Sequence, residues 1–287
     1  MKTITNKMGL PESLVKAITW DDYTGGSSDL SATSLWKPAR MVALEKQHAG
    51  QLTQDASEMI WVLMGKCIHE ILRRADNDAV TEMRLVDDIL GWKVSGQFDR
   101  FVAADGLLQD YKITSAWSLV FDSRSVEWTK QLNTYAHLLR RHGHQVNRIE
   151  VVAILRDWSA TEARGNPDYP QCSVQVVPIE LLAPEVIQKE ITERVQEHQR
   201  ARIELPLCSE EEQWARPTTY AIYKKGAKKA LKLCKSAKEA GEYMADKKDL
   251  ICDIRPGKKT RCESYCQVRD FCDQYRRESG KNSDDEP

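Results

Sequence analysis

Gly96-Gln97-Phe98-Asp99 and Gln109-Asp110-Tyr111-Lys112 stand on either side of Ala104-Asp105-Gly106, and both fold and chemistry turn on how these two stretches meet. Each lies in a strand-like run, 92–103 (WKVSGQFDRFVA) and 107–114 (LLQDYKIT), so the short turn between them predicts an antiparallel hairpin. Residues i and i+2 of a strand share a face, which puts Asp110 and Lys112 on one side, and the hairpin brings Asp99 beside them. Two carboxylates suit a hard divalent cation such as Mg²⁺ or Mn²⁺, and a lysine suits a phosphate.

Working outward, a short run around 82–86 reads as a third strand. The stretch 125–142 reads as a helix carrying Trp128, Leu132, Tyr135 and Leu139, with Gly143 as a C-cap. The apolar IEVVAIL that follows and a run near 172–179 are strands, and Pro184 opens a helix over 185–203. Upstream, Val62, Gly65, His69 and Leu72 fall on one face of a helix over 55–74, which presents His69 inward. Helices and strands in this order predict an α/β core of mixed α+β character. Residues 1–35 read as a peripheral arm ending in the loop Gly25-Gly26-Ser27-Ser28.

The chain has 287 residues, 41% hydrophobic and 30% charged, which fits one large core with an extension. We expect an N-terminal arm and helical segment over 1–54 and a core over 55–205. A basic, cysteine-bearing extension over 206–278 and a disordered polar tail over 279–287 complete the organisation. No apolar run approaches the roughly 20 residues that cross a bilayer, and the opening MKTITNKMGLPES lacks a signal-peptide core. A soluble, cytoplasmic protein without a membrane partner is expected. Neither a phosphate-binding P-loop nor a Gly-x-Ser-x-Gly elbow occurs, which argues against motor and esterase chemistry.

The net charge of −1 does not announce a nucleic-acid binder. Its distribution is more informative, because seven lysines and no acid lie between Lys224 and Lys238. Lys224, Lys225, Lys228 and Lys229 are candidate phosphate contacts, with a solvated surface as the plain alternative. Of eight cysteines, Cys67, Cys172 and Cys234 read as buried packing residues. Cys262-x3-Cys266-x5-Cys272 is too close and regular for three unrelated thiols and reads as a metal-binding triplet. The fourth ligand is Cys208 or Cys252. Cys208 follows Pro206 in a polar loop suited to presentation, whereas Cys252 alternates with Leu250 and Ile254 on a strand face suited to burial.

Asp-x-Lys occurs by chance on many strands, so its weight comes from context. Gln131 and Tyr135 lie at i and i+4 of the following helix, and His69 follows Gly65 on the preceding one. With GKCIHE at 65–70, GQFD at 96–99, QDYK at 109–112 and QLNTY at 131–135, the chain resembles the RecB-like branch of the PD-(D/E)XK nucleases. That branch includes CRISPR-associated RecB-like exonucleases and phage relatives. The resemblance spans about 60–140 and returns in the C-terminal cysteines. It implies a restriction-endonuclease-like core sheet flanked by helices, and a deoxyribonuclease of exonuclease-like kind acting in replication, recombination or defence.

On these positions the resemblance implies His69, Asp99, Asp110 and the Tyr111 carbonyl as metal ligands. It implies Lys112 as the catalytic lysine, with Gln131 and Tyr135 supporting the site or touching DNA. Ser115, Trp117 and Arg124 are candidates for a substrate-facing loop, and Arg156-Asp157-Trp158 for either the cleft or a structural ion pair. For the cysteines it implies a [4Fe-4S] cluster held by a distant cysteine and the C-terminal triplet, structural Zn²⁺ being the alternative, and the loop position of Cys208 makes it the choice for the fourth ligand. The triplet departs from the usual pattern in one respect, since no cysteine precedes the His69 helix. DNA is the implied partner, together with a separate helicase or recombination protein for work on duplex ends. The competing reading is a catalytically idle DNA-binding or assembly module stabilised by its metal.

Overall fold

The computed structural model describes residues 2–20, 26–76, 78–245, 247 and 249–280. The chain divides into two compact units, one of Met1–Lys37 with Ala49–Glu204, the other of Pro38–His48 with Leu205–Pro287. Residues 281–287 of the expected polar tail, and Gly25 of the expected loop, lie outside the described residues.

In the first unit α1 (Ile60–Ala75) is followed by three antiparallel strands, β1 (Val80–Ile89), β2 (Trp92–Val102) and β3 (Leu107–Thr114). Leu90 and Gly91 join β1 to β2 with φ of 54° and 75°, the double positive-φ geometry whose twist suits a tight hairpin. Between β2 and β3, Gly106 takes φ 62°. A Cβ there would lie 2.6 Å from Asn147 Nδ2 and 2.8 Å from the Gln145 carbonyl, so glycine is required by both backbone angle and space.

The β2–β3 ladder is short. It pairs Val102 with Leu107, Phe101 with Leu108 and Arg100 with Gln109, and then stops. Farther along that edge of β2, Val94 and Ser95 pair in parallel with Leu30 and Ser31. Residues 96–99 therefore have no strand partner there, and the wedge between β2 and β3 opens at Asp99.

From β3 the chain crosses through α2 (Ser125–Arg141) to β4 (Arg148–Leu155), which runs parallel to β3 from Leu107↔Arg148 to Thr114↔Leu155. A parallel return needs a crossover of this kind, here carrying a helix. β5 (Val174–Ile179) closes the sheet antiparallel to β4, and α3 (Pro184–Ala201) packs on α2 with Pro184 in its first turn. The result is a mixed sheet flanked by helices, the restriction-endonuclease-like arrangement that the resemblance implies.

Helix α2 positions the core. Trp128, Leu132, Tyr135 and Leu139 form one buried stripe, and Ile149, Val151, Ala153 and Leu155 of β4 join it in a single apolar cluster. Each fully buried aliphatic side chain of this kind contributes about 1.5–3 kcal/mol. The helix ends where the sequence places its cap. Gly143 takes φ 85°, and the N–H groups of Gly143 and His144 donate to the Arg140 and Leu139 carbonyls at 3.0 and 3.1 Å, a Schellman closure.

Three expectations need correction. Val62 is 49% exposed and α1 has no fully buried residue, so this helix offers the sheet little more than its His69 side. Cys67 and Cys172 are exposed, and of the three isolated thiols only Cys234 is buried. Apolar neighbours of a lone cysteine predict burial only where those neighbours are covered, and in α1 Met64 and Ile71 are themselves exposed.

In the second unit, strand Thr219–Lys224 pairs antiparallel with Lys232–Cys234 and with Leu250–Arg255. Helix Ala237–Met244 packs on this sheet through Ala240 against Ile222 and Cys234. Ala215–Arg216 pairs with Lys258–Lys259, leading to short helices Thr260–Ser264 and Asp273–Ser279. Helix Ala39–Gln47 belongs to the same unit.

Gly96 tests the packing of α2 on β2. A Cβ at this position would lie 2.7 Å from Tyr135 Cδ1 and 2.8 Å from Leu138 Cδ1, while one at Gly65 in α1 meets nothing within 4 Å. Gly96→Ala is expected to destabilise by about 1–3 kcal/mol through overpacking. Gly65→Ala should stabilise by up to about 1 kcal/mol through helix propensity. Urea unfolding of both variants checks the pair, and equal effects would contradict this packing.

Candidate active site

Asp99 occupies the point where β2 and β3 part. Its Oδ2 accepts the Tyr111 N–H at 2.6 Å, so a carboxylate satisfies a β3 donor that the interrupted ladder leaves without a strand partner. From α1, His69 reaches the same place. His69 Nδ1 lies 3.4 Å from Asp99 Oδ1 and 3.4 Å from Glu82 Oε1, and Nε2 lies 3.2 Å from the Tyr111 carbonyl.

Ligand atoms of His69, Glu82 and Asp99 all fall within 4.8 Å of one another. One nitrogen and two carboxylates so arranged can hold a divalent cation. Asp110 stands next to this group in a different role. It is 1% exposed, and its Oδ2 lies 2.5 Å from Lys112 Nζ as an ion pair. A buried, lysine-paired carboxylate beside one histidine and two further carboxylates is a donor set that fits a divalent metal ion.

The charges show the same tension. Burial raises the Asp110 pKa to about 6, with Asp99 adding to the rise and Lys112 opposing it. Burial also works against the Lys112 ammonium, but Asp110 and Asp99 outweigh it and hold its pKa above the ordinary lysine value. Hydrogen bonding to Asp99, then to Glu82, lifts His69 to about 10. His69 and Lys112 thus set two positive charges among the carboxylates.

Gln131 and Tyr135 lie behind it on α2. Gln131 Nε2 donates to Tyr135 Oη at 2.7 Å, and burial, with the nearby Asp110 carboxylate, raises the phenol well above its ordinary pKa. Tyr135 therefore stays neutral. Its ring fills the space that Gly96 leaves, which makes it a packing support for the strand that carries Asp99.

Glu82 is the residue that the motifs missed. It continues the β1–β2 register to the position opposite Asp99, but pairing lapses there between Thr81↔Arg100 and Met83↔Phe98, and Glu82 takes φ 52°. A non-glycine residue with positive φ at a functional site is a recognised form of stored strain. Gln97 Nε2 donates to its Oε2 at 2.7 Å. A hairpin reading that ran β1 back from the Leu90-Gly91 turn would have found Glu82 across from Asp99.

The following loop divides its candidates. Asp157 accepts from Ser115 Oγ at 2.6 Å and from the Ala116 N–H at 2.7 Å, so both Asp157 and Ser115 cap the short helix Ala116–Val120. Arg124 pairs with Glu127, and Arg156 lies over the Trp61 ring. Trp117 is 40% exposed and stacks with Phe121.

In the second unit, Cys208, Cys262, Cys266 and Cys272 line one small cavity with Arg40, Met41 and Leu44. The Cys208 loop is fastened to the last helix by Gln274, whose Oε1 accepts the Cys208 N–H at 2.8 Å and whose Nε2 donates to the Cys208 carbonyl at 2.9 Å. Cys252 instead packs against Ile222, Cys234 and Ala240. Lys224, Lys225, Lys228 and Lys229 are exposed at and beyond the end of strand Thr219–Lys224.

The His69 bridge carries a pH signature. Its folded pKa of about 10 exceeds the ordinary 6.5, so the stability it provides is complete below pH 6.5 and is lost as pH rises toward 10. In chelator-treated protein the stability difference between wild type and His69→Asn should shrink across that window. Denaturant unfolding at several pH values measures it, and a difference that stays flat would contradict the charged bridge.

No protein-family model and no curated protein matches this chain. Among solved structures it is similar to SSO0001, at 16% identity over 72% of this chain and 93% of that one, TM-score 0.45. A phage-related exonuclease from Haemophilus somnus 129PT matches at 14% identity over 68% and 79%, TM-score 0.32. An alkaline exonuclease from Laribacter hongkongensis matches at 15% identity over 61% and 90%, TM-score 0.33. Likeness at this level does not bear on activity, which has to be read from the site itself. Of its four motifs, two lie on β2 and β3 and two on the flanking helices α1 and α2, the arrangement that the resemblance to RecB-like PD-(D/E)XK nucleases implies.

Proposed function

We propose that the first unit is a metal-dependent deoxyribonuclease that hydrolyses phosphodiester bonds at the β2–β3 wedge. The observation that supports this most is the convergence of His69, Glu82 and Asp99 beside the buried Asp110–Lys112 pair. His69, Glu82, Asp99, Asp110 and the Tyr111 carbonyl are the groups available to hold Mg²⁺ or Mn²⁺. When bound, such an ion polarises a phosphoryl oxygen and lowers the pKa of a coordinated water. DNA as substrate, and an exonuclease-like mode, rest on the motif resemblance.

The chain's own groups define the rest. Lys112 stays charged in a largely buried site, where an ammonium stabilises negative charge developing on a phosphate better than it would in water. Asp110 holds that ammonium in place. Asp99 fixes β3 by accepting from Tyr111, so the residues before and after Tyr111 are presented in a set geometry. Gln131 and Tyr135 keep β2 and α2 in close contact, with the phenol neutral throughout.

Lys112→Ala, Asp110→Asn and Glu82→Gln are each expected to lower cleavage on the order of 10²-fold or more while the fold is retained, the loss typical of removing one charge-stabilising group. End-labelled linear and circular DNA with Mg²⁺ or Mn²⁺ provides the assay, with far-UV circular dichroism as the fold control. Wild-type turnover by purified Lys112→Ala would remove the assignment. Glu82→Gln is the most discriminating of the three, because the structure and not the motif set points to it.

For the second unit the proposal is a [4Fe-4S] cluster held by Cys208, Cys262, Cys266 and Cys272. The shared cavity supports these four over a set with Cys252, and the choice of iron–sulfur over zinc rests on the resemblance. Anaerobically prepared protein should be brown with about four irons per chain. Cys208→Ser should lose the iron and Cys252→Ser should keep it. Colourless protein with one tightly held zinc, or the reverse cysteine result, would overturn this part and leave the nuclease proposal standing.

A further inference from the structure

Arg40 is 3% exposed, and nothing in the nuclease reading uses it. It lies on helix Ala39–Gln47 and belongs with the cysteine-bearing part of the chain. Its Nε donates to Cys272 Sγ at 3.2 Å. Nη1 donates to the Leu205 and Pro206 carbonyls at 3.3 and 3.1 Å, and Nη2 pairs with Asp273. Every arm of the guanidinium is therefore fixed, and the arm that faces the cavity points at a sulfur.

A buried guanidinium is costly unless charge of the opposite sign accompanies it. Asp273 supplies part of that charge, but its carboxylate is 64% exposed and solvent weakens its pull. On the cavity side its partner is the sulfur of Cys272, in a cavity that Cys208, Cys262 and Cys266 also line. Four thiolates around a metal centre would carry a net negative charge and complete the compensation of this buried cation.

We infer that Arg40 is the internal countercharge of the cysteine-held centre and, through its Nε–H···Sγ bond to Cys272, a residue that sets the reduction potential of that centre. The inference rests on the iron–sulfur proposal above. Adding an electron makes the centre more negative, so a fixed cation and a hydrogen bond to a ligand sulfur favour the reduced form and raise the potential. Arg40 is a positioning residue with an electrostatic role, distinct from the four ligands. The bonds to Leu205 and Pro206 explain its rigidity, but they would be satisfied equally by an arginine that faced away from the sulfurs.

The test uses full-length protein prepared anaerobically, in wild-type, Arg40→Gln and Arg40→Lys forms, titrated potentiometrically with a low-potential one-electron reductant. Arg40→Gln should shift the reduction equilibrium at least tenfold toward the oxidised form, about 59 mV for one electron. Arg40→Lys should recover the larger part of that shift, because the ammonium restores the charge but not the directed fork. A wild-type midpoint in Arg40→Gln overturns the inference and marks Arg40 as a purely structural clamp. If Arg40→Gln does not fold, Arg40→Lys decides, with a small fall in midpoint expected and an unchanged or higher midpoint overturning it. Iron content is measured first, so that iron-free wild-type protein is recognised as failure of the cluster proposal itself.

Discussion

The early end of the β2–β3 ladder is the constraint on which the site depends. Had pairing continued past Arg100↔Gln109, the next position would set Asp99 against Asp110 and backbone bonds would occupy the Tyr111 region. Instead the strands part and the Asp99 carboxylate accepts the Tyr111 N–H. A buried donor is satisfied, and the same carboxylate is left with its second oxygen facing His69. One irregularity thus meets the backbone's hydrogen-bond requirement and creates a concave group of ligands.

Clustering carboxylates is unfavourable, and the protein counters it with cations from two directions. His69 comes from α1 and Lys112 from β3, each held by acids that raise its affinity for protons. Asp110 shows where compensation is incomplete, since its burial outweighs its lysine partner. The second unit has the opposite problem, a buried cation at Arg40 among thiols. In both places the proposed metal centre would supply the countercharge that remains. The two cases are independent, because they involve different residues and different ligand chemistry.

Much of this was legible in sequence because it depends on period and spacing. The hairpin over 92–114, the stripe on α2 and the Gly143 cap follow from local rules, and they place Asp99, Asp110, Lys112, Gln131 and Tyr135 without tertiary information. His69 required the family resemblance as well, since one histidine on a weakly buried helix carries little signal. Glu82 was not legible from motifs, because its role arises from cross-strand register combined with a positive φ that sequence does not advertise. Arg40 was invisible for a stronger reason. It lies 232 positions from Cys272, and nothing in ALEKQ-like helical sequence around it distinguishes a buried guanidinium from a surface one. The exposed Cys67 and Cys172 reflect the same limit, since apolar neighbours predict burial only where a partner surface covers them.

His69, Glu82 and Asp99, with Asp110 beside them, are the proposed divalent-metal centre. Anomalous diffraction from crystals soaked in Mn²⁺ locates the ion directly, without reference to activity. A strong peak is expected within bonding distance of Asp99 and at least two of His69, Glu82, Asp110 and the Tyr111 carbonyl. A fully occupied Mn²⁺ site elsewhere in the first unit, with no peak in the β2–β3 wedge, would contradict it.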